Sequence, residues 1–492
     1  MMLMLRAEWT KFRSVRGWVI GMLVAVGVTV LIGLLGPLGT NIGCGDSGGS
    51  CAGNTPPTGP DGEFVADSFY FVHQSLTGDG SITARVTSLT GQYSPNGTAA
   101  VGQGGADLVS GVQPWSKAGI IIKQNLNAGS AYAAVMLTGS NGVRMQDNYT
   151  HDTAGSAAAR WLRLTRAGDT ITGYDSTDGT NWTAIGTTKL SGTAQIGLFT
   201  TSPGHEVITQ SFGGSSGRGG PTRATAVFDN VDRTGPWTGT AVGGSTRNTG
   251  FQQTPNGFTV TGSGDIAPIV ATGGSLTTRI ESALVGVFAG LIAVIVVAAL
   301  FITAEYRRGL IRTTLAASPW RGRVLAAKAL VVGGVSFVVG LVAAVIVIPV
   351  VLKLDVGKGL SVFPVSTWTE VRVVGGTALV LAVTAVLALA VGTIMRRSAG
   401  AVTAVIVAVV LPYILAVASV LPAGAAEWLM RITPAAAFAI QQSEPAYAQV
   451  TASYTPNSGY FPLPPWGGFA VLCGYTALAL GVAALLLRRR DA

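Results

Sequence analysis

The chain changes texture sharply along its length. Six stretches are almost uniformly apolar, at 17–38, 283–303, 329–352, 373–395, 400–421 and 467–487. About 20 apolar residues in a helix cross the hydrocarbon core of a bilayer, so each stretch predicts a transmembrane helix. Between the first two lies 39–278, rich in Gly, Ser, Thr, Asn and Asp. There, short runs alternate between apolar and polar positions, as at 81–89, 118–123, 131–137, 161–165 and 195–200. Runs of that length and period, punctuated by turn residues, predict an antiparallel β-sandwich. The expected fold class is a membrane all-α unit of six transmembrane helices with an inserted all-β sandwich.

Within the insert, ITGYDSTDGTNWTAIG carries the clearest local signal. Asp178-Gly179 supplies a turn, and Tyr174 and Trp182 can pack across the hairpin it closes. The sandwich core is expected over 62–232, with the Gly-rich stretches 213–220 and 235–248 as loops or linkers.

At the N-terminus, 1–16 places Leu5, Trp9 and Phe12 at i, i+4 and i+7, with Arg6, Lys11, Arg13 and Arg16 on other faces. That pattern predicts an amphipathic helix lying on the cytoplasmic membrane surface; the plainer reading is the basic flank of a signal anchor. No A-x-A-like site follows the first apolar stretch, and Asn41-Ile42-Gly43 before Cys44 makes a poor lipoprotein box, so the first span reads as uncleaved. The loop 422–466 contains AEWLMRITPAAAFAIQQ, half apolar and too short to cross. It predicts an interfacial or re-entrant segment, with Trp428, Tyr460 and Trp466 suited to the membrane–water boundary.

Composition agrees with a membrane protein: 48% hydrophobic, 11% charged, mean hydropathy +0.47. Charge orients it. The N-terminal flank, 305–328, Arg396-Arg397 and 488–491 together hold 15 basic and 3 acidic residues, a net of +12, whereas 38–278 holds 12 and 15, a net of −3. Lys and Arg are retained on the cytoplasmic side. Six crossings then put both termini in the cytoplasm and 39–278 outside, in a multi-pass protein of the bacterial cytoplasmic membrane. The lipid bilayer is the expected partner, and nucleic acid is not.

Candidate chemistry is sparse. Cys44 and Cys51 flank a short Gly/Ser-rich loop and form a candidate disulfide in an oxidising exterior; two free thiols are the equal alternative. His73, His151 and His205 lie far apart, and no dense metal spacing occurs. No G-x-x-x-x-G-K-[ST] is present, since Gly357-Lys358 is followed by Gly359, so the chain cannot hydrolyse ATP through a P-loop. Lys328, Lys353 and Arg372 approach span ends, where snorkelling explains them. The insert has only two glutamates, Glu63 and Glu206, which argues against a glycosidase carboxylate pair. Trp115, Trp161 and Trp182 are candidates for stacking on a sugar, with core or cross-strand packing as the plainer role.

One stretch remains, Glu305–Lys328, reading EYRRGLIRTTLAASPWRGRVLAAK between two spans. On composition it is a basic loop that fixes topology. Its sequence resembles the loop after the second span of type-2 ABC exporter permeases. That resemblance implies a coupling helix that docks on a separate ATPase subunit, with ATP and Mg²⁺ bound there and no cofactor in this chain. It implies Glu305, Arg307, Arg308, Arg312, Thr313, Thr314, Arg321 and Arg323 as coupling residues, and a second permease subunit, identical or related. The runs WSKAGIIIK, ARWLRLTRAGDTITGYDSTDGTNW and AVFDNV resemble concanavalin A-like (laminin-G-like) sandwiches. The expected function is the permease subunit of an ATP-driven exporter. The alternative is a membrane-anchored carbohydrate-binding or adhesion protein.

Overall fold

The structure, a computed structural model, describes residues 2–39, 55–95, 108–211, 214–244, 249–270, 277–309, 321–418, 420–452 and 454–490. Among these lie eight α-helices: α1 (Met2–Ser14), α2 (Arg16–Gly39), α3 (Val287–Arg307), α4 (Arg321–Gly357), α5 (Thr367–Met395), α6 (Ser398–Val417), α7 (Ala423–Ile432) and α8 (Pro465–Arg490). Six helical segments, α2 to α6 and α8 with a 3₁₀ turn leading into α3, are long and apolar enough to cross a membrane. The helices approach closely where side chains are small. Gly286 and Gly290, one turn apart, face Thr29 of α2, and a Cβ at either position would collide with it. Such a stripe lets two backbones pack at short range in a medium where burial itself drives little. On the far side of α3, Phe288 stacks on Tyr413 of α6 at 4.0 Å and meets Phe438 at 4.4 Å. Phe438 belongs to the fully buried 3₁₀ segment Pro434–Gln441, which follows the amphipathic α7 with its exposed Trp428.

The insert is two antiparallel sheets face to face. One runs in the order Thr183–Lys189, Thr170–Ser176, Trp161–Ala167, Gly80–Tyr93, Thr222–Asp229, Gly257–Gly262, Gly250–Thr254. The other runs Thr238–Val242, Phe69–Leu76, Ala194–Thr201, Lys117–Lys123, Tyr132–Thr138, Val143–Asp147, His151–Ala154. Ile82, Leu162, Leu164 and Ile171 of the first meet Val72, Ile120, Ile122, Val135 and Leu198 of the second. The second sheet is also covered on its outer face, where Phe71, Ile121, Tyr132 and Phe199 pack with Val65 and Ile266 of a short two-stranded layer. This double burial explains the continuous GIIIK run, because a strand buried on both faces has no polar side to alternate with.

The sandwich reaches further than the sequence pattern predicts. Strands continue past Asp232 to Pro268, Thr238–Val242 within the expected linker forms a sheet edge, and Gly214–Gly220 pairs with His205–Ser211. An edge strand needs its backbone donors and acceptors more than apolar side chains, so Gly-rich segments join a sheet that composition cannot forecast.

Two buried lysines pin the central strand. Lys123 Nζ donates to Asp67 Oδ2 at 2.7 Å and to Ser130 O at 3.0 Å, and Tyr149 Oη donates to the same Asp67 oxygen at 2.7 Å. Lys117 Nζ donates to Asp265 Oδ1 at 2.8 Å. Burial pulls the Lys123 ammonium below its ordinary range despite Asp67, and burial beside Asp67 pushes the Tyr149 phenol up. The sandwich rests on the membrane half. Gln449 Nε2 donates to the carbonyls of Tyr149 (3.1 Å) and Thr150 (3.3 Å), Phe64 meets Phe363 at 5.5 Å, and Thr277–Thr278 pairs with Ser361–Val362 between α4 and α5.

Candidate functional site

Four basic segments, remote in sequence, gather at one end of the helix bundle. Lys11 of α1 reaches Glu305 near the end of α3, and Glu305 meets Lys328 in the second turn of α4. Arg396, just past α5, lies over the Tyr306 ring at 5.1 Å. Arg321 Nη1 donates to Leu487 O near the end of α8 at 2.8 Å, satisfying a carbonyl that the helix end leaves open. The sandwich contacts lie at the other end of the same helices.

The centre of the basic end is a four-residue ion cluster. Lys328 Nζ donates to Glu305 Oε1 at 2.6 Å and Glu8 Oε2 at 2.7 Å, while Lys11 Nζ donates to Glu8 Oε1 at 3.0 Å and Glu305 Oε1 at 3.3 Å. Two carboxylates and two ammonium groups balance. Lys328 is wholly buried and Glu8 and Glu305 nearly so, with Lys11 partly open to solvent. Burial pulls the Lys11 ammonium down, but Glu305 and Glu8 outweigh it and hold the group above its ordinary value. Phe301 forms the floor, with its ring 5.0 Å from Lys328 Nζ and packed against Phe12 and Trp18.

Lys328 therefore does not snorkel to the surface. It sits 23 residues from Glu305, and the two clasp the base of the basic loop. Neither Glu8 nor Lys11 is among the expected coupling residues. The available signal was an acid inside a basic flank, one turn ahead of Phe12, and these two form the buried stripe of α1. Trp9, expected on the apolar face beside Phe12, is about half exposed.

The other candidates are placed as follows. Arg307 lines a cavity with Arg396 and Arg397. Arg308 ends α3 and is exposed, Arg321 is bound to α8, and Arg323 is an exposed residue in the first turn of α4. Arg312, Thr313, Thr314, Cys44 and Cys51 lie outside the described residues. In the sandwich, an arginine covers each candidate tryptophan: Arg144 over Trp115 at 5.7 Å, Arg85 over Trp161 at 5.4 Å, Arg163 over Trp182 at 3.9 Å. Asp178 accepts from the backbone amides of Thr180 and Asn181 at 2.8 Å each, which holds its carboxyl well below the usual range and closes the hairpin turn.

A basic end with a clasped loop, opposite a β-sandwich at the other end of the helices, fits a transport subunit, and sequence comparison decides the matter. The family model for ABC-2 family transporter proteins matches residues 117–492, about three quarters of the chain. The chain belongs to the ABC-2 transporter family. No curated protein matches it. As an ABC-2 permease it is a multi-pass membrane subunit of an ABC transporter and a transport component rather than a catalyst. The match to the permease begins inside the sandwich, at the first residue of its central buried strand.

Proposed function

We propose that this permease exports its substrate from the cytoplasm, driven by a separate ATPase subunit that docks on the loop between Glu305 and Lys328. The observation that carries this reading is the Glu8–Lys11–Glu305–Lys328 cluster. A push on the loop reaches both of its ends at once, because Glu305 and Lys328 are hydrogen-bonded to each other and through Glu8 to α1. Packed ion clusters deform poorly, so α1, α3 and α4 shift together rather than separately.

In this reading both termini and the loop face the cytoplasm and the sandwich faces outward, following the charge asymmetry. The coupling contacts are Arg308, Arg312, Thr313, Thr314 and Arg323, with Glu305 at the start of the loop and Arg307 and Arg321 bracing it. ATP and Mg²⁺ bind on the ATPase partner, and a second permease subunit completes the path. The test is purification of the tagged chain from its native membrane. An ABC ATPase that co-purifies and loses its ATP hydrolysis on substitution of Lys328 supports the proposal. A chain that purifies without any ATPase, or whose ATPase is indifferent to Lys328, refutes docking through this loop.

A further inference from the structure

Between α3 and the junction of α5 with α6 lies a cavity of about 550 Å³, lined by Arg307, Arg396, Arg397, Tyr306, Ser398 and Leu300 among others. Three arginines and no carboxylate line it among the described residues. Three guanidinium groups around one partly enclosed space make it cationic and favour an anionic occupant. Its volume falls within the usual range of small-molecule sites.

The local backbone aims the positive charge into this space. Arg396 caps α5 in the left-handed region, at φ 56°, a conformation that favours glycine. Its guanidinium is held over Tyr306, which fixes an otherwise flexible side chain. The chain turns at once into α6, a 20-residue helix whose N-cap Arg397 makes no side-chain capping bond and whose first residues, Ser398 and Ala399, line the cavity. Helix starts favour phosphate-like anions. The wall supplied by α3 carries Leu300, 37% exposed on a helix long and apolar enough to cross a membrane, so the cavity has an apolar side next to its arginines.

We infer that this cavity binds the phosphodiester headgroup of an anionic phospholipid, with Arg307, Arg396 and Arg397 on the phosphate and the acyl chains along Leu300. A free phosphate would satisfy the arginines but leave the apolar wall unused. The inference rests on the membrane-spanning assignment and not on the transported substrate or the direction of transport.

The test uses the full chain in lipid nanodiscs containing either phosphatidylglycerol or phosphatidylcholine with matched acyl chains, and native mass spectrometry counts retained lipid. The intact chain should keep phosphatidylglycerol in preference to phosphatidylcholine. Each cationic side chain near a headgroup contributes about fivefold in affinity, so Arg396→Gln with Arg397→Gln should weaken retention roughly twenty-five-fold. Arg13→Gln, which removes a basic residue from α1 at the same end, should leave it unchanged. Tyr306→Leu should cause a smaller loss that raising the lipid fraction restores, since Tyr306 only positions Arg396. If the double variant does not fold, the single Arg397→Gln at an exposed N-cap should still show about fivefold. Equal retention of both lipids, or retention indifferent to the arginines, overturns the inference. So does displacement of the lipid by millimolar inorganic phosphate, which assigns a free-anion site. Loss of a bound ATPase from the arginine variants without any lipid preference assigns the cavity to an acidic protein partner instead.

Discussion

Lys328 Nζ lies 2.6 Å from Glu305 Oε1, so the two ends of the basic loop meet in a buried ion pair. Because Lys328 also bonds Glu8, the pair ties the loop to the N-terminal helix as well as to itself. Removing Lys328 alone leaves two buried carboxylates with only the half-exposed Lys11 between them. Lys328→Met should therefore cost about 3–5 kcal/mol, read as a lowered thermal midpoint in detergent. Adding Glu305→Gln to that variant should recover part of the loss, because the Glu8–Lys11 pair then balances. A double variant as unstable as the single would show that the cluster acts through packing instead.

The loop itself is addressed by Arg308→Ala with Arg312→Ala. A docked partner should be retained more weakly on the tagged permease, by about 1–3 kcal/mol for each lost charge-assisted contact, with a matching fall in ATP hydrolysis. Insertion should not change, since Arg307, Arg321 and Arg323 keep the loop basic. Retention and hydrolysis both at the level of the unaltered chain would reduce the loop to a topology signal.

Orientation is read with single cysteines, Ser318→Cys and Thr187→Cys, in a chain lacking Cys44, Cys51 and Cys473. An impermeant thiol reagent on intact cells should label the exposed position 187 and spare position 318. The opposite pattern would invert the protein in the membrane.

The sandwich should fold as a soluble fragment of residues 55–270, with a β-type circular dichroism spectrum and a cooperative melt. The same fragment cut at Asp232 should lose that melt. It would lack Gly257–Gly262, which pairs with Thr222–Asp229, and Ile266–Pro268, which covers the second sheet. A cooperative melt in the shorter fragment would show those strands to be dispensable.

Asp178 gives that fragment a pH signature. Its carboxylate is held below the ordinary value of 3.8 by the amides and side chain it accepts from. A depressed carboxyl binds fewer protons folded than unfolded, so its contribution is present above 3.8 and is lost as pH falls through the lower folded value. Asp178→Ala should lower the thermal midpoint at neutral pH, and the gap to the unaltered fragment should narrow below pH 3.8. A gap independent of pH would mean that the side chain acts without its charge.

Six spans, an inserted β-sandwich and the gathering of basic charge were legible in the sequence because each depends on quantities summed over many residues. Twenty apolar side chains favour a bilayer whatever surrounds them, and alternation of period two marks a strand with one buried face. The fate of a single charged residue is different, because it depends on what stands opposite. Lys328 and Lys353 both sit near span ends, yet Lys328 is buried against two carboxylates while Lys353 is exposed. Glu8 lies 320 residues from Lys328, and only the packing of α1 against α3 and α4 brings them together. The same holds for the edge strands after Asp232, whose pairing is made by backbone groups common to every sequence. Composition thus determined which segments enter the membrane, and tertiary packing decided which charges meet there, because the apolarity of a span is summed within one chain segment while burial and pairing of a charge need a second.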